Sequence, residues 1–166
     1  MTDDRTERFD RLPARAGDDR MPSRAGILDW WDARFGVDPE VFAAHTFWER
    51  GEGNIWVFYG DVPDPAPVDG LGMVCVRTSG HDWKPTTNAA QRFGHHATKN
   101  VIELIDEEID RFVAGESQHI DWSGDRGYAL ASATIGGERA ILGVGQYIEG
   151  ELRSMVPKGR RRDLDR

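Results

Sequence analysis

Residues 127–156, GYALASATIGGERAILGVGQYIEGELRSMV, decide the fold. Three runs rich in β-branched and apolar residues, 127–134, 139–148 and 151–156, are separated by Gly136-Gly137 and by Glu149-Gly150. Such pairs suit two-residue hairpin turns, whose central positions need positive φ. The spacing therefore predicts an antiparallel β-meander. Within it GVGQY, 143–147, lacks the third glycine and the following helix of a dinucleotide loop. Its glycines are expected to relieve crowding or to form a bulge.

Working outward, DEEIDRFVAGE (106–116) reads as a helix with Ile109, Phe112 and Val113 on one face, acids in its first turn and Gly115 at its end. VIEL (101–104) before it is a short strand. Further upstream, Leu28, Trp31 and Phe35 fall at helical spacing and Gly36 stops the helix. Asp38 and Pro39 then start a second, short helix as N-cap and first helical residue. FWER, NIWVFYG and LGMVCVRT are strands, separated by GEG and by the loop DVPDPAPVDG. Residues 1–24 mix both charges with almost no apolar periodicity and are assigned no structure. The expected fold class is α+β. One compact domain over 25–162 has N-terminal helices and a mixed sheet followed by the C-terminal meander; it is open to subdivision near 104–118, and 163–166 form a tail.

Composition narrows the setting. A chain of 166 residues with 39% hydrophobic content suits one ordinary core. No run of about 18 apolar residues occurs, and no apolar segment follows the N-terminus. We therefore expect a cytoplasmic protein with no membrane partner. Cys75, the single cysteine, sits in an alternating apolar run and reads as a small buried hydrophobe, which excludes disulfides within one chain. The net charge of −8 comprises 18 Asp and 11 Glu against 18 Arg and only 3 Lys. This acidic, lysine-poor surface reads as halophilic, with an Arg-rich protein of a high-GC genome as the alternative. In molar salt the Debye length shrinks to about 3 Å, so a nucleic-acid site must work by contact, shape and stacking.

Two islands break the acidic pattern. KPTTNAAQRFGHHATKN (84–100) contains no Asp or Glu, and neither does 153–162; all three lysines, Lys84, Lys99 and Lys158, lie in them. In the first island Asn88 or Thr87 can cap a helix, with Gln91 completing a capping box and Phe93 entering the core. That leaves Lys84, Thr86, Arg92, Lys99 and Asn100 without a structural need. Cations, hydroxyls, amides and a helix N-terminus all suit phosphate oxygens. His95 and His96 are adjacent and lack the i,i+4 partner of a helical metal site, and no G-x-S-x-G, P-loop or HExxH occurs. Catalysis by either histidine would need a carboxylate or nucleophile within hydrogen-bond reach. Trp83 and Tyr147 flank the islands and are candidates either for base stacking or for the core.

The segments 27–58, 83–104, 127–131 and 141–161 resemble, in order, the PUA-like, non-catalytic region of archaeal members of the Nop/Sun family of RNA cytosine-5 methyltransferases. The resemblance covers about 26–161 and rests on Lys-Pro-Thr-Thr-Asn at 84–88, Thr-Lys-Asn at 98–100 and the segment from Gly143 to Lys158. It implies a region that binds structured RNA and presents it to an attached S-adenosylmethionine-dependent domain. It also implies Lys84, Thr86, Thr87, Asn88, Lys99, Arg153 and Lys158 as RNA contacts. Arg92, Asn100, Arg160 and Arg161 join them from the two basic islands. The chain departs from the family in having neither a Gly-rich cofactor loop nor a Pro-Cys dipeptide for the nucleophile. The expectation is therefore a stand-alone RNA-binding module of tRNA or rRNA modification or ribosome biogenesis, without catalysis or cofactor. Its partners would be structured RNA and a separate RNA methyltransferase subunit. The alternative is a protein-interaction or structural module that keeps the fold without RNA.

Overall fold

Helix α1, Arg24–Phe35, begins where Ser23 Oγ accepts a hydrogen bond from the Gly26 amide at 3.0 Å. It ends at Gly36, whose φ of 63° lets its amide turn back to the Asp32 carbonyl. Ile27, Leu28, Trp31 and Phe35 form its buried stripe. Asp38 Oδ1 then caps a single 3-10 turn, Pro39–Phe42, by accepting from the Glu40 amide. The structure is a computed structural model that describes residues 8–17 and 22–161.

The first sheet is an antiparallel meander in chain order: β1 (Asp10–Arg11), β2 (His45–Glu49), β3 (Asn54–Tyr59), β4 (Met73–Arg77) and β5 (Lys84–Pro85). Strand β1 corrects the expectation of a structureless 1–24. Phe9 is fully buried against Trp48, Ala66 and Leu71, its backbone exchanges hydrogen bonds with Ala66, and Leu12 reaches the main core. Two apolar anchors in an otherwise charged stretch are too few to produce a periodicity, yet each brings the hydrophobic gain of a full side chain. Residues 1–7, 18–21 and 162–166, including the expected tail, lie outside the described residues.

After β5 come helix α2 (Thr87–Phe93), strand β6 (Val101–Glu103), helix α3 (Glu107–Val113) and strand β7 (Gln118–His119). The predicted meander follows as β8 (Gly127–Ile135), β9 (Glu138–Ile148) and β10 (Glu151–Ser154). The second sheet has the order β6-β8-β9-β10-β7, with β6 parallel to β8 and every other pair antiparallel. Both hairpin turns have the expected positive φ: 60° and 83° at Gly136 and Gly137, 50° and 84° at Glu149 and Gly150. The register slips between Ala131 and Ser132, so Leu142 bulges beside Gly143, and a Cβ on Gly145 would lie 2.5 Å from Leu152 Cδ1. The glycines of GVGQY thus serve the bulge and the crowded pairing with β10.

Alternation along β8 and β9 covers both faces of this sheet. Leu130 and Val144 enter a core shared with α1, α2 and the first sheet, whereas Ala129, Ala131, Tyr147 and Leu152 pack under Phe112 of α3. The shared core is dominated by rings: Trp31 sits 5.4 Å from Phe35, 6.1 Å from Phe42 and 6.3 Å from Phe93 between centroids. Cys75 lies in the same core, where burial pushes its thiol up to about 12 and leaves it unreactive at neutral pH. Among the described residues no helix is long and apolar enough to cross a membrane.

Candidate nucleic-acid interface

The first basic island is anchored to β4 from its start. Lys84 and Pro85 pair with Arg77 and Val76, and the Thr86 amide donates to the Cys75 carbonyl. Thr86, rather than Thr87 or Asn88, caps α2: its Oγ1 accepts from the Ala89 amide at 3.2 Å and donates to the Val74 carbonyl at 2.6 Å. The cap falls there because that hydroxyl bonds helix and sheet at once. Gln91, expected to reach back in a capping box, instead donates to the Leu142 carbonyl. Helix α2 ends at Phe93, and a Cβ on Gly94 would press on Ile141 and Leu130 at 3.0 and 3.1 Å, so close packing on β8 and β9 explains that glycine.

The second island reaches the first through a 3-10 turn, Lys158–Arg160, after β10. Arg160 Nη2 donates to Asn88 Oδ1 at 2.8 Å, joining residues 72 positions apart. Lys84, Thr86, Thr87, Asn88 and Arg160 thus line one groove of about 480 Å³, floored by Val144, Met155 and Trp56. Arg77, which the sequence reading did not single out, lines it too. None of the groove's lining residues is Asp or Glu. Arg77 and Lys84 also stand directly opposite each other across β4 and β5, a like-charge pairing that costs stability. Among the described residues neither side chain forms an ion pair or a hydrogen bond.

The remaining candidates divide. Lys158 is exposed two residues before Arg160, outside the groove's lining. Arg92 lines an adjoining hollow with Tyr59 and His45. Arg153 is paired with Glu151 at 2.8 Å, and Arg161 donates to the Val156 carbonyl while packing on Gly115. Lys99 lies in a different cleft, which also contains Glu103, and its Nζ caps the end of α1 at the Ala33 carbonyl.

Asn100 is 8% exposed with φ 53°, and its amide is already occupied. Nδ2 donates to the Arg34 carbonyl at 2.6 Å, and Oδ1 accepts from the Asp125 amide at 3.2 Å. It belongs to the fold, contrary to the expectation that it lacked a structural need. Asn100→Ala strands both backbone groups and keeps a left-handed conformation that alanine disfavours. Urea unfolding should show a loss of about 2–3 kcal/mol; an unchanged midpoint would remove this role.

Tyr147 is likewise core: it is 7% exposed, its hydroxyl donates to the Ile120 carbonyl at 2.7 Å, and Trp122 meets it edge-on. Trp83 is half-buried against Trp30. The His95 and His96 rings lie 3.9 Å apart at a 40° tilt, and partial burial, then His96, Arg92 and Arg139, hold the His95 pKa below its ordinary value. Among the described residues the one histidine–carboxylate contact is His81 Nδ1 to Asp82 Oδ1 at 3.3 Å, with both side chains exposed. No group of three or more His, Cys, Asp or Glu among those residues is placed to hold a metal ion.

Comparison with known families gives two matches. Residues 99–162 match the family described as "Methyltransferase RsmF PUA domain". The chain carries a PUA-like region. Its fold is accordingly a compact α+β PUA-like domain. The match is to the PUA domain and to no catalytic domain. Residues 1–72 match a "Family of unknown function (DUF7122)", and no curated protein matches the chain. The PUA-like region supplies Arg160, Val144 and Met155, Trp56 comes from the other matched segment, and Arg77 and Lys84 to Asn88 fall between the two. The groove therefore lies where the PUA-like region meets the rest of the molecule.

Proposed function

We propose that this protein is an RNA-binding module that holds the phosphate backbone of a structured RNA in the groove of Arg77, Lys84, Asn88 and Arg160, and carries no catalytic activity of its own. The observation that carries this reading is the groove's charge. In a chain of net charge −8, three cations from three segments gather with no carboxylate, and two of them face each other across a strand pair. A site that concentrates one sign of charge at a cost in stability is matched by an anion. Arg and Lys beside hydroxyl and amide groups are a phosphate-contacting set. PUA domains of RNA methyltransferases are RNA-binding in general, so the match over 99–162 supports the same partner. A role in tRNA or rRNA modification or ribosome assembly, beside a separate methyltransferase subunit, is the biological setting we infer. Lys158, exposed and two residues before Arg160 in the chain, is offered as a further phosphate contact.

The test is direct binding. Fluorescence anisotropy of labelled tRNA and rRNA fragments, titrated with the full chain between about 0.1 and 1 M KCl, should give saturable binding. With three groove cations on phosphates, the log–log salt slope should be about −2 to −3. Absence of saturable binding across that range, with the protein folded, would remove the RNA reading and leave a protein-interaction module.

A further inference from the structure

At one end of the groove, Gly72 and Met73 also line a second hollow, of about 470 Å³, completed by Tyr59, His45, Arg92 and Phe93. The two hollows share Gly72 and Met73 in their linings, so the cationic groove and a largely apolar hollow adjoin at these residues.

Tyr59, the last residue of β3, is 71% exposed, in contrast to the buried Tyr147. The His45 ring meets it edge-on at 5.3 Å, and His45 itself packs on Phe42 at 6.0 Å and Phe93 at 5.4 Å. An open aromatic face is thus braced from the main core rather than carried on a loose loop. Burial, then Arg92 and Arg24, keep the His45 pKa below its ordinary value, which favours the neutral ring. Arg92 stands at the rim, and among the described residues its side chain forms no ion pair or hydrogen bond.

A bare phosphate would use Arg92 and leave Tyr59 idle, whereas a nucleotide uses both. Its base offers a flat π-face to the tyrosine, and its phosphate lies within the reach of an arginine. Duplex RNA keeps its base faces stacked inside, so only an unpaired nucleotide presents one.

We propose that Tyr59 stacks an unpaired base of the RNA whose backbone occupies the groove, with Arg92 on the adjoining phosphate, so that the protein prefers single-stranded or looped RNA to duplex. This rests on the RNA-binding reading above.

The experiment compares the full-length protein with Tyr59→Ala, Tyr59→Phe and the groove variant Arg77→Glu/Lys84→Glu. The probes are a fluorescein-labelled single-stranded RNA of about 12 nucleotides, within the site sizes such proteins use, and its blunt duplex. Tyr59→Ala should weaken single-strand binding by about 5- to 150-fold, the range of one lost stacking contact. It should leave the salt slope and duplex binding unchanged, because no charge is lost. Tyr59→Phe should retain wild-type affinity within about twofold, since the π-face and not the hydroxyl is used. A 2-aminopurine in the single strand should be quenched by the wild type and not by Tyr59→Ala. If Tyr59→Ala binds as tightly as wild type while the groove variant loses binding, stacking is overturned and the groove stands. A wild type that prefers the duplex, or that binds neither probe, also overturns stacking, while the RNA-binding reading falls only if the tRNA and rRNA titration fails as well. Tyr59 is exposed, so its removal leaves the core intact, and the phenylalanine variant controls for local disturbance.

Discussion

Trp31→Ala should cost about 3–5 kcal/mol, the usual loss for a fully buried tryptophan cut to a methyl group. For a chain of this size that corresponds to a fall of about 6–20 °C in Tm. Trp31 is 0% exposed and lies in a cluster that draws Leu12 from just after β1, Phe47 and Ile55 from the first sheet, Phe93 from α2, and Leu130 and Val144 from the second sheet. Its loss therefore opens a cavity in the core that α1, α2 and the two sheets share. The expected result is a single, lower transition by both far-ultraviolet circular dichroism and tryptophan fluorescence. If the two probes separate, or if the midpoint moves by less than about 2 °C, Trp31 does not join the halves and the shared core is two cores in contact.

What the sequence carried and what it did not follow from the range of each signal. Gly36, the Gly136-Gly137 pair and the Glu149-Gly150 pair announce positive φ locally, and the helix stop and both hairpins formed where they were expected. Strands β1, β5 and β7 have two residues each, too few for an alternation to register, and they form because an edge of a longer strand was available. The cap of α2 fell on Thr86 because the Val74 carbonyl, twelve positions away, rewards that hydroxyl. Both islands were visible as gaps in the acidic pattern, but which of their residues share a groove depended on where the turn after β10 lands. Arg77 escaped notice because it ends an ordinary strand; only the β4–β5 register brings it opposite Lys84. Tyr147 was a stacking candidate because it flanks the second island, and Tyr59 was not singled out at the end of an ordinary strand; the packing of α3 and Trp122 over Tyr147 makes it core, whereas Tyr59 is 71% exposed.

Reversing the groove should have the largest effect on binding. Arg77→Glu, Lys84→Glu and Arg160→Glu together remove three cations and add three carboxylates along one wall. RNA affinity near 0.1 M KCl should fall by at least about a hundredfold, with the salt slope reduced by about 2–3. The single change Lys84→Glu distinguishes function from structure. It places a carboxylate directly opposite Arg77, replacing a like-charge pair with an opposite-charge one, so thermal stability should rise by about 0.2–1 kcal/mol. Binding should weaken in the same variant, because one phosphate contact is lost and a repulsive charge takes its place. Gain of stability with loss of RNA affinity would mean that the repulsion between Arg77 and Lys84 is retained for the ligand. A variant that is less stable, yet binds RNA as wild type does, would show these cations serving the fold alone. The groove would then lose its claim to the RNA.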